Sequence, residues 1–485
     1  MADGPSIASV EALEGRLHVL EAALASRDAQ LAERDARIDA LTKLVGELTE
    51  KLNQNSRNSH LPPSSDGPGA GARLGTPRSG KSKSKKKRGG QKGHRGAHRL
   101  LAAPDAVDST NDLFPDACSG CATALPRTDD PKAYRYQQVD LQDHKPHVTE
   151  WRRHEVRCTR CGSSTRAAYD SSVIPCSAFG PRIVAVVVLL TGDYHLSRRK
   201  AQRMLRELFG IRISLGAMSA MEGCATEALA PAYDEAKAEV EQALVKHADA
   251  TSWLRSGCLR SLWTIATRTA TFYRIFADGS SETIRPMFGS CLGILVSDRA
   301  TVFGFWAMKK RQICFAHLLR KFIGFSERDG PAGRFGHELL EYTALIFDYW
   351  HGFKDGLLTR EELALWLAPV RRHFERSLTS ASKSDIRALS GSAKDVLAHK
   401  EALWTFVTED GVEPTNNHAE RELRAFVLWR KQSFGSQSER GERYAERMMT
   451  VVRTARKQGQ EVLEFVVRSI EAHLNGATSP RLIGA

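Results

Sequence analysis

The sequence predicts a chain of several parts that ends in a mixed α/β core, preceded by a coiled coil, a small β-rich module pinned by cysteines, and a short helical region. Three observations carry that prediction: a seven-residue leucine repeat near the start, two Cys-x-x-Cys pairs, and a late series of alternating and wholly apolar strands broken by a helix.

The composition bounds the reading. A length of 485 residues suits roughly three domains. Apolar residues at 41% and charged residues at 26% exclude wholesale disorder, collagen and membrane bundles. The longest strongly apolar run, Ile183 to Leu190, is far short of the ~20 residues of a membrane span. Asp3 and the lack of a basic-then-apolar order argue against a signal peptide. Nine cysteines, an odd count, suit a reducing compartment, and a cytoplasm is expected.

From residue 8 to 54, Leu17, Leu24, Leu31, Ile38, Val45 and Leu52 interleave with Leu13, Leu20, Arg27, Arg34, Leu41 and Leu48. This 4-3 alternation is a coiled-coil seam, so self-association into a homo-oligomer is expected. Arg27 and Arg34 weaken its middle. The alternative is one long amphipathic helix packed on its own chain.

Residues 55–104 are rich in Asn, Ser, Pro, Gly and Lys and read as a flexible linker. Between Gly67 and Pro104 stand eleven basic residues and no acidic one, so of the net charge of +13 only 13 − 11 = +2 belongs to the rest. Lys81, Lys83, Lys85, Lys86, Lys87, Arg88, Lys92 and Arg95 lie among serines and glycines. They point to salt-sensitive, sequence-independent contact with nucleic acid.

Residues 105–170 hold Cys118 and Cys121, then Cys158 and Cys161. Four thiolates from two tight knuckles complete a closed tetrahedral set, which predicts a structural Zn²⁺ in a zinc-ribbon-like module. The alternation from Val148 to Val156 suggests strands between the knuckles. Residues 178–235 read as three helices: one through Leu190, a basic one over Ser197 to Phe209, and one opening at Ser214. The turn at Gly210 allows a helix-turn-helix, while plain helical packing is the equal alternative, because Leu215 to Met221 offer little to read base edges.

The segment 240–470 reads as the α/β core. Asp249 lies in one expected strand, stretches at Arg260 to Thr269 and Ala270 to Ala277 form two more, and a helix covers Glu282 to Phe288. Asp298 then ends the apolar run from Cys291 to Ser297. A carboxylate there is costly to bury unless paired or bound to metal. Glu420 follows Pro414-Thr415-Asn416-Asn417 on an amphipathic helix whose apolar stripe is Ala419, Leu423, Phe426 and Val427. Glu422, two positions on, is expected to point elsewhere. Hard oxygen ligands on separate elements are what Mg²⁺ uses, and the order Asp, Asp, late-helix Glu is that of ribonuclease-H-like nucleotidyl transferases.

These residues resemble a known family. Pro414 to Asn417 with Ala419-Glu420-Arg421, Trp429-Arg430-Lys431 with Ser433 to Ser436, and Glu439-Arg440-Gly441 look like transposases of the insertion-sequence 66 type. So do Ser297-Asp298, Cys314-x-Ala316-His317-Leu318-Leu319-Arg320, Asn55 to Ser59, and Gly89-Gly90-Gln91. The resemblance implies an Asp-Asp-Glu DNA transposase with Asp249, Asp298 and Glu420 as catalytic residues holding two Mg²⁺ or Mn²⁺ ions. It also implies a ribonuclease-H-like core with a helical insertion at about 325–405. Asn417, Arg421 and Arg424 would orient the glutamate or contact phosphate. The partners implied are insertion-sequence ends and target DNA, with room for helper proteins from the same element, in a bacterial cytoplasm at the nucleoid. Ala250-Thr251-Ser252 after the first Asp, and Arg299-Ala300-Thr301 after the second, depart from the family's usual acidic-Thr-Gly and tyrosines. Two other classes stay open: a non-catalytic DNA-binding regulator and a metal-dependent DNA nuclease.

Overall fold

A computed structural model describes residues 7–55, 57–59, 101–141, 146–169 and 178–484. The linker cations Lys81, Lys83, Lys85, Lys86, Lys87, Arg88, Lys92 and Arg95 lie outside them. The chain divides into two compact units. The smaller draws on Arg73–Trp151 and Met204–Ile211, the larger on Met1–Ala72, Arg152–Arg203 and Arg212–Ala485.

In the smaller unit a 3-10 turn covers Pro104–Ala106. Gln137 holds the backbone of Ala102 in both directions, accepting from its N at 2.7 Å and donating to its O at 3.2 Å. None of residues 101–141 is buried, so side-chain packing does little to order that stretch.

The larger unit opens with α1 (Ile7–Asn53), ~70 Å long at 1.5 Å per residue. Leu17, Leu24, Leu31, Ile38, Val45 and Leu52 are all exposed along it, as are Leu20, Leu41 and Leu48. Its end is closed by Asn58, whose Oδ1 accepts from Asn55 N at 2.8 Å and whose Nδ2 donates to Asn53 O at 3.0 Å. The same Nδ2 reaches Glu327 at 2.8 Å.

A short hairpin follows, β1 (Glu155–Arg157) with β2 (Ser164–Arg166). The alternation from Val148 to Val156 becomes strand only at its end, because Val148, Trp151 and Val156 stay exposed and gain nothing from a ladder. Next come α2 (Pro181–Val188), which runs on as a π-turn to Asp193, α3 (Arg198–Phe209), α4 (Leu215–Ala228) and α5 (Ala230–Gln242). Ser214 caps α4 by accepting from Ala217 N at 3.1 Å.

Five strands form the central sheet: β3 (Val245–Arg255), β4 (Cys258–Ala266), β5 (Thr271–Phe276), β6 (Ile294–Ser297) and β7 (Arg311–Ile313), in the order β5-β4-β3-β6-β7. The first three pair antiparallel as a meander, and β3–β6 and β6–β7 pair parallel. Between β5 and β6 lies α6 (Ser281–Ile284), which gives way to a 3-10 turn over Arg285–Phe288. The helix expected to run through Phe288 tightens there because Pro286 has no N–H to continue the ladder. After β7 come α7 (Phe315–Ser326), α8 (Gly330–Lys354), α9 (Arg360–Ser382), α10 (Arg387–Ala398) and α11 (Thr405–Thr408). The chain closes with α12 (Asn417–Ser433), α13 (Glu439–Lys457) and α14 (Val462–Leu474).

Strand alternation divides the core. Ala248, Trp263, Ile265, Phe272 and Leu295 pack on one face of the sheet with Phe288 and Trp306. Trp253, Leu262, Tyr273 and Ile275 pack on the other with Leu423 and Phe426 of α12 and Met449 of α13. A third cluster joins Phe315 and Phe322 of α7 to Leu339, Ile346, Phe374 and Phe406 in the helices between Asp298 and Glu420. The free edge of β5 is covered by α13, whose Glu446, Thr450 and Thr454, spaced four apart, accept from the N–H groups of Ile275 (2.6 Å), Tyr273 (3.1 Å) and Thr271 (3.1 Å). Side chains thus stand in for a sixth strand at an edge that would otherwise invite pairing.

α4 packs on α2, α13 and α14, burying Met218, Met221 and Ala225. Its exposed Leu215, Gly216 and Ala220 offer no side-chain hydrogen bond to a base. Among the described residues no helix is long and apolar enough to cross a membrane.

Candidate active site

The β3–β6 register pairs His247 with Val296. Asp249 stands two residues further along β3 and Asp298 two residues beyond Val296, just past the end of β6, so the parallel pairing leads both acids to the same end of the strand pair, where Asp298 is close enough to raise the Asp249 carboxyl. Alternation puts Asp249 on the face of Thr251 and Trp253, which turn toward α12: Thr251 Oγ1 accepts from Arg430 at 3.2 Å, and the Trp253 ring lies 5.5 Å from Phe426. Glu420 sits in the first turn of that helix.

Two buried residues fix this meeting point. Asn416, fully buried, donates from Nδ2 to Ala248 O at 2.8 Å and from its backbone N to Cys314 Sγ at 3.1 Å. Phe315 N donates to Pro414 O at 2.8 Å. The Pro-Thr-Asn-Asn turn therefore ties α12 to β3 just before Asp249 and to the start of α7. On the other side Arg311, buried in β7, donates to Ser297 Oγ at 3.2 Å and to Asp298 O at 3.0 Å, while Asp298 Oδ1 accepts from Ala300 N at 2.9 Å.

Electrostatics records the crowding. The Asp249 carboxyl is pushed up to about 7, first by burial and then by the negative charges of Asp298 and Glu420, against a backbone hydrogen bond from Ala250 and the charge of Arg320 that pull it down. Glu420 faces α7, with Oε1 3.6 Å from His317 Nδ1 and Oε2 3.6 Å from Arg320 Nη2. Burial lowers the pKa of His317 although Glu420 opposes it. Glu420 Oε1 and His317 Nδ1 are both buried without a hydrogen-bond partner among the described residues.

An orphaned Glu420 oxygen near a carboxyl raised by burial and by its acidic neighbours is a setting that a divalent cation would relieve, but the donor atoms of Asp249, Asp298 and Glu420 do not all lie within 4.8 Å of one another. A second donor group lies alongside. Among the described residues, Cys314, His317 and Glu420 form the one group of metal-binding side chains whose donor atoms all lie within 4.8 Å of each other. Burial pushes the Cys314 thiol up to about 11, so that a cation binding there must first displace its proton.

Asn417, Arg421 and Arg424 are exposed on α12. Glu422 points away from Glu420, as the sequence suggested, toward Lys457 and Arg453. It is only 13% exposed and is held by Lys457 at 3.3 Å and Arg453 at 3.8 Å. Tyr273 Oη donates to its backbone oxygen at 2.9 Å. Lys457 also donates to His418 at 3.0 Å, and the His418 ring lies 5.1 Å from His247. Burial above all lowers these histidines, to about 3 and about 4, keeping both neutral. A polar hub thus backs the site two residues from Asp249 and two from Glu420. Sequence offered no signal for it, since His247 and His418 meet only through the fold.

The two cysteine knuckles have matching turns. Cys118 N donates to Thr123 O at 2.9 Å and Ala122 N to Cys118 O at 2.8 Å; Cys158 N donates to Ser163 O at 2.8 Å and Gly162 N to Cys158 O at 2.9 Å. Hydrogen bonds, chiefly from Thr123 and from the Cys161 backbone, lower the thiols of Cys121 and Cys158. All four cysteines are free thiols, and Cys121, Cys158 and Cys161 are exposed.

Comparison with known proteins bears on this arrangement. Residues 176–444 match the family described as "Transposase IS66 family", and residues 7–100 match a family of unknown function. An uncharacterized protein, y4hP of Sinorhizobium fredii (strain NBRC 101917 / NGR234), is 25% identical over 350 residues, covering 64% of this chain. The match spans 62% of that protein's own length.

Proposed function

Because the chain belongs to the transposase IS66 family, we propose that it cuts and joins DNA at the ends of a bacterial insertion sequence. Asp249, Asp298 and Glu420 are then the catalytic, metal-binding carboxylates of a ribonuclease-H-like core. The observation that carries this reading is the β3–β6 register beside Asp249 and Asp298, with Glu420 close enough to raise the Asp249 pKa.

Two divalent ions, Mg²⁺ or Mn²⁺, supply charge neutralisation and an activated oxygen nucleophile when bound. The protein's own part is positioning. Asn416 and Arg311 hold the carboxylates in register, His317 and Arg320 aim Glu420, and Asn417, Arg421 and Arg424 present donors to phosphate oxygens. In cleavage, water oxygen bonds to phosphorus and the strand's 3′ oxygen leaves, taking a proton to become a hydroxyl. In joining, that hydroxyl loses its proton as its oxygen bonds to a target phosphorus, and the target's own 3′ oxygen departs.

The rest of the chain serves this chemistry. The exposed seam of α1 pairs chains so that two DNA ends are held together, and the linker cations from Lys81 to Arg95 grip DNA without regard to sequence. Cys118, Cys121, Cys158 and Cys161 take up a structural Zn²⁺. Incubating the full chain with DNA carrying the element's ends and Mg²⁺, scoring cleavage and joining together, tests the proposal. Both reactions are expected. Binding alone would favour a regulator, and cleavage without joining a nuclease.

A further inference from the structure

The exposed face of α12 does not end at the site. Asn417, Arg421, Arg424, Leu428 and Lys431, at intervals of three or four residues, are all exposed, and such spacing forms a single stripe. None of the three cations forms an ion pair with a described residue. The stripe leads to Phe434, which is 74% exposed and whose backbone is left-handed, with φ 57° and ψ 24°.

Both features of Phe434 are unfavourable for the isolated chain. The left-handed position after a helix is usually glycine because a Cβ is strained there, yet here the glycine is one place later. The surroundings enforce the arrangement. Phe434 N donates to Arg430 O at 2.8 Å, and Gly435 N to Ser433 Oγ at 3.3 Å. Gly435 itself needs φ +96°, and any Cβ on it would overlap the Leu254 carbonyl. Ser436 pairs with the end of β3: its N donates to Leu254 O at 2.9 Å, Ser256 N donates to its O at 2.9 Å, and Trp253 Nε1 donates to its Oγ at 3.2 Å. A loop pinned at this many points holds a large apolar ring out into water, although neighbouring Trp429 packs inward on Phe426 and Trp253. Strain that the surroundings over-determine clusters at functional positions.

We propose that the α12 stripe is a rail for DNA phosphates and that Phe434 is a stacking tip that receives an unpaired or unstacked base. This rests on the DNA-transposase reading above. The flanking charge fits a polyanion and not an apolar protein surface, and an aromatic face stacks on any base. Phe434 lies 434 − 420 = 14 residues beyond Glu420, ~21 Å along the helix at 1.5 Å per residue. That is ~6 base-pair steps at 3.4 Å, so the contact falls about half a duplex turn from the chemistry. Inserted apolar side chains unstack such steps and bend the duplex.

The test uses the full chain and two fluorescent DNA probes of one sequence, a fully paired duplex and the same duplex with a short central bubble, read by anisotropy. Phe434→Ala should weaken binding of the bubble ~5- to 100-fold and leave the paired duplex within about twofold, since phosphate contacts carry that affinity. Phe434→Trp should restore the bubble preference. Phe434→Gly, which relaxes the backbone, should behave like Phe434→Ala and so assign the effect to the ring. Equal affinity of wild type and Phe434→Ala for the bubble would overturn the tip alone. Failure of the wild type to bind either probe would overturn the DNA reading beneath it as well. A change in oligomeric mass on Phe434→Ala, seen by light scattering, would mean that the ring covers a second copy, and would also overturn the proposal.

Discussion

Asn416 donates its side-chain amide to the carbonyl oxygen of Ala248 at 2.8 Å, so the helix that carries Glu420 is stapled to the strand residue immediately before Asp249. The spacing between Asp249 and Glu420 is thereby governed by a residue that is itself neither of the two proposed catalytic carboxylates. Asn416→Ala leaves Ala248 O buried and unpaired, which should lower stability by ~1–3 kcal/mol. Urea denaturation measures that loss. DNA cleavage should fall further than the loss of folded protein explains, while affinity for DNA persists.

Glu422→Gln is expected to destabilise the fold. Lys457 and Arg453, 14% and 28% exposed, would keep their charges without a carboxylate between them. Removing one partner of a buried pair costs ~3 kcal/mol at the lower end, and partial exposure of Arg453 keeps the effect there. A thermal shift of several degrees is the expected readout. An unchanged melting temperature would show that the contacts of Glu422 with Lys457 and Arg453 add nothing to stability.

Glu446 lies on α13, facing the outer edge of the sheet. Burial pushes its carboxyl up to about 7 from an ordinary 4.5, although Arg274 and the N–H of Ile275 pull it down. The folded protein therefore keeps this proton across a window in which the unfolded chain has released it. Its contribution to stability is full below about pH 4.5 and is lost as pH rises toward about 7. Glu446→Gln keeps the acceptor for Ile275 and cannot titrate. Stability measured across this window should improve in the variant relative to wild type as pH rises, and a pH-independent difference would count against the burial argument.

Deleting Val10 to Leu52 while keeping the Asn55 to Ser59 turn should lower the oligomeric mass seen by light scattering. The exposed leucine seam of α1 is what a second helix would cover. Joining of paired DNA ends should fall with it. An unchanged mass would contradict self-association through α1.

The candidate site was legible in part. Asp249 and Asp298 stood out because each interrupts or ends an apolar strand, and Glu420 because a helical stripe begins beside it. β7 was not legible: Arg311-Gln312-Ile313 has no apolar alternation. It is buried through hydrogen bonds that reach across the fold, from Arg311 to Asp298 O and from Gln312 to Leu403 O. The partners of Glu422 were hidden for a related reason. Its angle from the apolar stripe can be read from α12 alone, but only the folding of α13 against that side brings Lys457 and Arg453 to it. The Val148 to Val156 alternation misled in the opposite sense, since a period of two needs something to pack against before it becomes a strand.

In the proposed site, residues far apart in sequence share one pair of cations. Fe²⁺ can substitute for Mg²⁺ and, with ascorbate and peroxide, cut the backbone within a few ångströms of where it binds. Fragments of the full chain ending near 249, 298 and 420, all suppressed by excess Mg²⁺ and all weakened by Glu420→Gln, are the expected result. Cuts confined to 314–317 and 420, with none near 249 or 298, would place the ion at Cys314, His317 and Glu420 instead and would contradict the account.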